Sequence, residues 1–392
     1  MEHFLEDAKA QFEYTQRLRR DFHRHPELGF QEFRTAGIVA RELGKLNLDK
    51  IQTEVAKTGV VGLLHGAKPG PVLLLRFDMD ALPILEENDT DYTSQTEGLM
   101  HACGHDAHTA IGLTVAKLLA EKRNQLAGTV KFVFQPAEEG LGGAAEMVKE
   151  GVLEDPKPNY SLAVHVWNDL EIGKFGITPG PMMGAAETFR VVITGKGGHG
   201  AAPHQTVDPI FAASQVISAL QSIVSRNVPP LESAVVTVGS IKGGSAFNII
   251  PPKVEFLGTI RTFTKEVRKT VLKKFEEITT GVAESLGCSV EIEMNSITPA
   301  VNNDPELTHR VQKIARVLFP EAGIETDLMT MGSEDFAFLV DDIPGCFVFV
   351  GSANEEKGLD AKHHHPKFDI DERAMRNAVA LVTAAAVNLL SA

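Results

Sequence analysis

The chain has 392 residues, which is the usual size of two domains. Hydrophobic residues make up 43% and charged residues 23% of the chain, a balance that excludes a disordered or fibrous protein. The formal net charge of -14 argues against nucleic acid as a partner, because neutralising phosphates needs clustered lysine and arginine.

The cysteines and the chain ends favour a cytoplasmic protein. Cys103, Cys288 and Cys346 have no spacing typical of a disulfide framework, and their odd number favours a reducing compartment. Residues 1–14 are polar and acidic and lack the apolar core of a signal peptide. The apolar stretch at 378–390 is too short to span a bilayer, so we expect no membrane contact.

The first half of the chain alternates helices with apolar strands. An amphipathic pattern over residues 4–22 predicts a helix that ends near Pro26. Strands are predicted at 60–66, 71–83, 129–136 and 161–167, with a helix over 106–121 between the second and the third. The alternation predicts an α/β fold whose mixed, largely parallel sheet is sandwiched by helices. Ligands of such sheets gather at the carboxyl ends of the strands, where the polar motifs of this chain occur.

The pattern changes near residue 184. Strand, helix, strand, strand, helix and strand follow in that order, with helices predicted over 208–225 and 264–286. This β-α-β-β-α-β order is typical of a ferredoxin-like α+β domain. We therefore predict an inserted domain at 184–295 and a first domain formed by 1–183 and 296–392.

The motif HACGHDAH contains a candidate metal site. Cys103 and His105 are separated by one glycine just before a helix, and a thiolate and an imidazole so placed can bind one zinc ion at roughly 2.0–2.3 Å. His101 and His108 are further candidates. Taken alone, the motif is more often an ordinary turn in which Asp106 caps the helix.

Further acidic and histidine residues occur at the ends of other elements. Glu138 and Glu139 follow a buried strand, where two adjacent carboxylates need a neighbouring positive charge. One of them can bind a metal while the other faces a water molecule. Asp78 and Asp80 share one face of a strand, and such a buried acidic pair needs a cation. His165 lies inside an apolar strand, where a lone histidine is more often a structural core residue than a metal ligand.

A histidine triplet, residues 363–365, completes the set in a polar loop. Cysteine, histidine and glutamate at the ends of several elements suit a two-metal site. The chain has no G-x-S-x-G motif for a serine nucleophile and no phosphate-binding G-x-x-x-x-G-K-[ST] loop.

Eight motifs then identify a family. HRHPELGFQE, DMDALP, MHACGHDAHTA, QPAEEGLGGA, GKGGHGAAPH, AFNIIPP, GSEDFA and HHPKFD occur in this order. In these motifs the chain resembles the hippurate hydrolase, N-acyl-amino-acid amidohydrolase and auxin-conjugate hydrolase branch of the aminoacylase–carboxypeptidase family of dinuclear metallopeptidases. The resemblance covers essentially the whole chain. It implies a zinc-exopeptidase-like catalytic domain and an inserted lid and dimerisation domain.

The resemblance also implies roles for particular residues. Glu138 would be the general base, Asp80 would orient a metal-binding histidine, and His199 would contact the developing oxyanion. Asn248 and Arg261 would bind the substrate carboxylate. The wider family has histidine at the position of Asp78, which leaves the role of Asp78 open. The implied metal ligands are Cys103, His105, Glu139, His165 and His364, the last chosen because the family pattern is His-x-Pro.

The implied activity is hydrolysis of the amide bond of N-acyl or N-aroyl amino acids. Two divalent ions per subunit are implied, and zinc, manganese, cobalt and nickel all remain open. The substrate would be a small N-acyl amino acid or a short peptide, and the protein would be a homodimer or homotetramer. The alternatives are a carboxypeptidase or dipeptidase on the same scaffold, and a metal-binding protein without catalysis. A dipeptidase needs an acidic group for the substrate N-terminus, and the sequence shows no obvious one.

Overall fold

The computed structural model describes residues 2–391, so the first and last residues of the predicted catalytic domain lie outside the described residues. The chain forms two units. Unit 1 comprises Met1–Met182, Asn302–Met329 and Asp335–Ala392. Unit 2 comprises Met183–Val301 and Thr330–Glu334.

The secondary structure of residues 2–391 consists of α-helices, strands and a few short 3₁₀ and π turns. The helices are α1 (Glu2–Ala10), α2 (Phe12–Arg24), α3 (Phe33–Gly44), α4 (His105–Glu121), α5 (Gly143–Lys149), α6 (Pro209–Ser222), α7 (Lys265–Ser285), α8 (Pro305–Leu318) and α9 (Arg373–Leu389). The strands are β1 (Lys50–Val55), β2 (Gly59–His65), β3 (Lys68–Asp78), β4 (Ala127–Gln135), β5 (Tyr160–Glu171), β6 (Phe175–Gly176), β7 (Gly180–Met183), β8 (Ala185–Thr194), β9 (Gly198–His199), β10 (Ala234–Gly243), β11 (Ile249–Ile250), β12 (Lys253–Thr262), β13 (Ser289–Thr298), β14 (Val301–Asn303), β15 (Ile324–Glu325) and β16 (Gly345–Ala353).

Unit 1 contains an eight-stranded sheet with the order β1-β2-β4-β3-β5-β16-β6-β15. The central strands β4, β3, β5 and β16 are parallel to one another. The pairs β1–β2, β2–β4 and β16–β6 are antiparallel. Strands β4 and β16 are buried almost throughout, which explains their continuous apolar sequence. The predicted mixed, largely parallel sheet is confirmed.

Two long helices form much of the core of unit 1. Most side chains of α4 and α9 are buried, and the two helices pack against each other. The helix predicted over 4–22 is interrupted at Gln11, whose φ of -94° and ψ of 1° leave the helical region. On either side of this break, α1 packs on α9 and α2 packs on α4.

Unit 2 contains a four-stranded antiparallel sheet with the order β10-β12-β8-β13. Helices α6 and α7 pack on each other and against this sheet. Asp208 caps α6, and Thr264 caps α7, through hydrogen bonds from the first backbone N–H groups of each helix. The chain order of these elements is the predicted β-α-β-β-α-β order. Among residues 2–391, no helix combines the length and apolar character that a bilayer span requires.

Candidate metal centre

The polar motifs of unit 1 follow the carboxyl ends of neighbouring strands. Strand β3 ends at Asp78, which pairs in register with Gln135 at the end of β4. Asp80 lies two residues beyond the first strand, and Glu138 lies three residues beyond the second. His165 lies on β5, the other neighbour of β3. The parallel centre of the sheet therefore gathers these side chains at one edge.

The start of α4 brings Cys103 and His105 to the same edge. Gly104 between them has φ of +89°, a conformation that favours glycine. A Cβ at this position would lie only 2.4 Å from Cγ2 of Val166. Glycine is therefore required by both backbone conformation and close packing.

The five side chains implied as metal ligands form one cluster. The ligand atoms of Cys103, His105 and His165 lie within 4.8 Å of one another, as do those of Cys103, Glu139 and His364. Cys103 Sγ is 3.6 Å from His165 Nε2, and His364 Nε2 is 3.2 Å from Glu139 Oε1. Glu138 joins the cluster through a third group with His105 and Glu139.

Hydrogen bonds orient two of the histidines so that Nε2 is left for a metal. His105 Nδ1 lies 3.0 Å from the backbone oxygen of Asp80 and 3.1 Å from its Oδ1. His165 Nδ1 lies 2.6 Å from the backbone oxygen of Val166. Since each Nδ1 faces acceptors, it carries a proton, and each Nε2 faces the other side chains of the cluster.

His108 lies behind the five-residue cluster, in a further group with Asp78 and His105. Its Nδ1 lies 2.6 Å from Asp78 Oδ1, and its Nε2 accepts the backbone N–H of Val166 at 2.9 Å. Both ring nitrogens therefore have protein partners. His108 connects the end of β3 to β5.

The cluster has the properties of a cation site. Among the residues that the structure describes, the buried atom His105 Nε2 has no hydrogen-bond partner. Burial, together with the carboxylates of Glu139 and Glu138, raises the pKa of the Cys103 thiol well above its usual range. Burial lowers the pKa of His165 well below its usual range, which keeps its imidazole neutral. An imidazole nitrogen without a hydrogen-bond partner, nearby carboxylates and a thiol–imidazole–carboxylate set of ligands all fit a divalent transition-metal ion.

Asp80 contacts two parts of this site. Besides its contact with His105, its Oδ2 accepts the backbone N–H of Glu139 at 3.0 Å. The side chain is buried. It therefore orients a histidine and the loop after β4 at the same time.

The structure shows what surrounds Asp78, whose role the sequence left open. Its Oδ2 accepts a hydrogen bond at 2.6 Å from the buried Arg76, while its Oδ1 faces His108. Arg76 also donates to Gln135 and to Asp335. Asp78 is thus paired with a cation and a histidine, and it acts as a support behind the cluster.

Arg76, Gln135 and Asp335 also lie beside the site, and none of them was predicted as a site residue from the sequence. A signal for the first was present, because an arginine in the apolar run PVLLLRFD, on the same strand face as Asp78, must have a buried partner. Asp335 also donates its backbone N–H to Glu138 Oε1 at 3.4 Å. No local pattern indicates this contact, since 197 positions separate the two residues.

The three histidines of the triplet have different surroundings. His363 is half-buried, stacks on Trp167 and faces the backbone oxygen of Val166 through Nε2. His365 is exposed, and its Nδ1 accepts the backbone N–H of Lys367. His364 has φ of +65°, a strained conformation for a non-glycine residue, and its Nε2 points to Glu139. Of the three, His364 is therefore the one placed at the cluster.

The remaining predicted residues belong to unit 2. His199 on β9 pairs with Ile249 on β11, and Gly200 donates its backbone N–H to the backbone oxygen of Asn248 at 2.8 Å. His199 and Asn248 are thus brought together at one small two-stranded antiparallel sheet. His199 is exposed, and its Nδ1 accepts the backbone N–H of Ala201, which leaves the proton on Nε2. Arg261 is half-buried near the end of β12, where its guanidinium donates to Thr259 Oγ1.

Comparison with known proteins agrees with this geometry. A profile of peptidase family M20/M25/M40 matches residues 74–388. The chain therefore belongs to this family of hydrolases, which confirms the resemblance seen in the motifs.

Three similar proteins illustrate the family. The N-acetylcysteine deacetylase of Bacillus subtilis is 40% identical over 91% of this chain and 92% of the relative. Thermostable carboxypeptidase 2 of Saccharolobus solfataricus is 36% identical over 96% of this chain and 95% of the relative. The crystal structure of a Bacillus subtilis protein described as a dinuclear metal-binding peptidase of the M20 family superposes with a TM-score of 0.85. It is 35% identical and covers 97% of this chain and 99% of that one.

Proposed function

We propose that the protein is a metal-dependent amidohydrolase that cleaves the amide bond of N-acyl or N-aroyl L-amino acids. The observation that carries the proposal is the convergence of Cys103, His105, Glu139, His165 and His364, with Glu138 beside them. The similarity to a deacetylase of an N-acyl amino acid supports the choice of substrate class.

The five clustered side chains would hold two divalent ions. Zn²⁺, Mn²⁺, Co²⁺ and Ni²⁺ all accept a mixture of thiolate, imidazole and carboxylate ligands. When bound, such ions polarise a carbonyl group and lower the pKa of water toward about 7.

Glu138 would serve as the general base. It shares a group with His105 and Glu139, and its Oε1 accepts the backbone N–H of Asp335. In this place its carboxylate can take the proton from the attacking water and return it to the leaving amine. Proton transfer by a positioned side chain accelerates such reactions by about 10²–10⁴-fold.

Unit 2 would supply the groups that recognise the substrate. The proton on His199 Nε2 makes this exposed side chain a donor suited to a developing oxyanion. Asn248 would bind the substrate carboxylate together with Arg261, because a guanidinium can donate two parallel hydrogen bonds to a carboxylate. We further propose that unit 2 acts as a lid and dimerisation domain in a homodimer or homotetramer.

Carboxypeptidase activity is a second candidate, favoured by the 36% identity to thermostable carboxypeptidase 2. Both reactions cleave an amide next to a free carboxylate, so they differ in the acyl side of the substrate. Comparing kcat/KM for N-acetyl-, N-benzoyl- and N-indoleacetyl-amino acids with kcat/KM for unblocked dipeptides and N-blocked dipeptides separates them. A preference for dipeptides of either kind would favour the carboxypeptidase.

The proposal is tested with metals and two matched variants. Chelation should abolish hydrolysis, and divalent ions should restore it. Glu138→Gln should keep its metal content and lose about 10²–10⁴-fold in kcat, because an amide cannot carry the proton. Glu139→Gln should instead lose metal, as measured by elemental analysis. Full activity of rigorously metal-free protein, or wild-type kcat in Glu138→Gln, would contradict the proposal.

A further inference from the structure

The loop after β4 is held by two buried carboxylates. Glu32 Oε1 accepts the backbone N–H of Ala137 at 2.8 Å, and Asp80 Oδ2 accepts the backbone N–H of Glu139 at 3.0 Å. Glu138, the proposed general base, lies between these two anchored residues. The direction of its side chain therefore depends on both hydrogen bonds.

The loop has a conformation that needs such support. Ala137 has φ of +55°, in the left-handed region that costs a non-glycine residue roughly 1–2 kcal/mol. Gly143 donates its backbone N–H to the oxygen of Ala137, and Gly140 donates its own to the oxygen of Glu138. The Glu32 carboxylate satisfies the Ala137 N–H, which the loop itself leaves without a backbone acceptor among the described residues.

The other contacts of Glu32 also fix its side chain in place. Its side chain is buried, and its second oxygen accepts the hydroxyl of Thr58 at 2.6 Å. Burial raises the pKa of this carboxyl to about 7, so the ionised carboxylate lowers the stability of the fold. A buried carboxyl with such a cost and a contact to the loop of the proposed base points to a functional role.

The segment that carries Glu32 is itself fixed against the site. Glu27 accepts the backbone N–H of Ala81 through its own backbone oxygen, next to Asp80. A Cβ on Gly29 would lie 3.0 Å from both Cα and Cβ of Ala137, so the segment packs directly on the loop. The motif HRHPELGFQE is typical of the family but has no role in the proposed chemistry. It thus packs against the loop that carries Glu138.

We propose that Glu32 is a positioning residue. By accepting the hydrogen bond from the Ala137 N–H, it would orient the Glu138 side chain toward the reacting water. The inference rests on the proposed role of Glu138 as the base. It adds a function for the N-terminal segment, to which the proposed function assigns neither a metal ligand nor a substrate-binding group.

The test uses the metal-loaded full-length protein with Glu32→Ala and Glu32→Gln. Removing a hydrogen bond to a charged group should lower kcat about tenfold to a hundredfold in Glu32→Ala, with KM within about twofold. Glu32→Gln keeps an oxygen that can accept the Ala137 N–H and should recover most of this loss. Metal content should be unchanged in both, and amide hydrogen exchange at residues 137–139 should be at least about tenfold faster in Glu32→Ala.

The matched control is Glu27→Gln in the same segment. The Glu27 carboxylate also accepts two backbone N–H groups, from Arg34 and Thr35, but these belong to the start of α3. Its kcat should stay within about twofold of wild type, because the hydrogen bond to Ala81 uses the backbone oxygen.

A double-mutant comparison separates positioning from general damage. If Glu32 acts through Glu138, Glu32→Ala should change the residual kcat of Glu138→Gln by less than about threefold. An equal loss on both backgrounds, an unchanged kcat in Glu32→Ala, or unchanged hydrogen exchange would overturn the positioning role. Wild-type kcat in Glu138→Gln would instead reject the proposed base, a distinct result.

Discussion

Replacing Glu32 with glutamine is expected to stabilise the fold at pH 8 and to destabilise it slightly at pH 4, where only the lost hydrogen bond with Thr58 counts. Burial raises the pKa of this carboxyl from 4.5 to about 7. A carboxyl whose folded pKa is raised contributes stability that is fully present below pH 4.5 and is lost as the pH rises through 7. Glutamine has the same shape and stays neutral, so the variant avoids this loss.

The size of the effect follows from the interval between the two pKa values. At about 1.36 kcal/mol per pH unit, the rise from 4.5 to about 7 corresponds to roughly 3 kcal/mol at pH 8. This is an upper limit, since Thr58 donates its hydroxyl to the oxygen that becomes an NH₂ group. A neutral hydrogen bond lost in this way costs about 1 kcal/mol, which leaves a gain of about 2 kcal/mol.

The assay is denaturant unfolding of chelated wild type and variant between pH 4 and pH 8. Comparing the two proteins at each pH cancels the titration of every other group. Glu86→Gln is the control of opposite sign, because hydrogen bonds from His23 and Ser94 outweigh burial and lower the pKa of Glu86. It should be less stable than wild type at pH 8. A stability difference for Glu32→Gln that does not change with pH would show that the pKa of Glu32 is not raised by folding.

Three further predictions concern other parts of the molecule. Burial opposes protonation of His23, but Asp106 and Glu86 raise its pKa to about 9. In urea unfolding, His23→Gln should therefore be less stable than wild type at pH 6. This difference should vanish as the pH rises through 9. Arg261→Ala should raise KM about tenfold or more for substrates with a free α-carboxylate and little for their amides; equal changes in both series would reject the carboxylate contact. Mixing Glu138→Ala with His199→Ala under subunit exchange should restore about a quarter of wild-type activity if His199 acts in the partner's site. About half the dimers are then mixed, and each mixed dimer has one intact site. No recovery, with exchange confirmed by mass spectrometry, would show that His199 acts in the site of its own chain.

Much of the fold could be read from local patterns. Alternating helices and apolar strands predicted the largely parallel sheet, because strands buried on both faces have continuous apolar sequences. Helix starts such as Asp208-Pro209 and Thr264 were predictable because their caps involve neighbouring residues. The break at Gln11 was not predictable, since it depends on the packing of α1 on α9 and of α2 on α4.

For the site, local sequence patterns were enough to find the reactive side chains and the strand ends at which they occur. His105 and Glu138 were identifiable because each lies in a short motif beside a strand or a helix. The patterns did not show which nitrogen of each histidine faces the cluster, that both nitrogens of His108 have protein partners, or that Arg76 pairs with Asp78. Nor did they show the contact of Glu32 with Ala137, across 105 positions. Hydrogen bonding and burial depend on neighbours in space, and these neighbours are set by how the strands and loops pack.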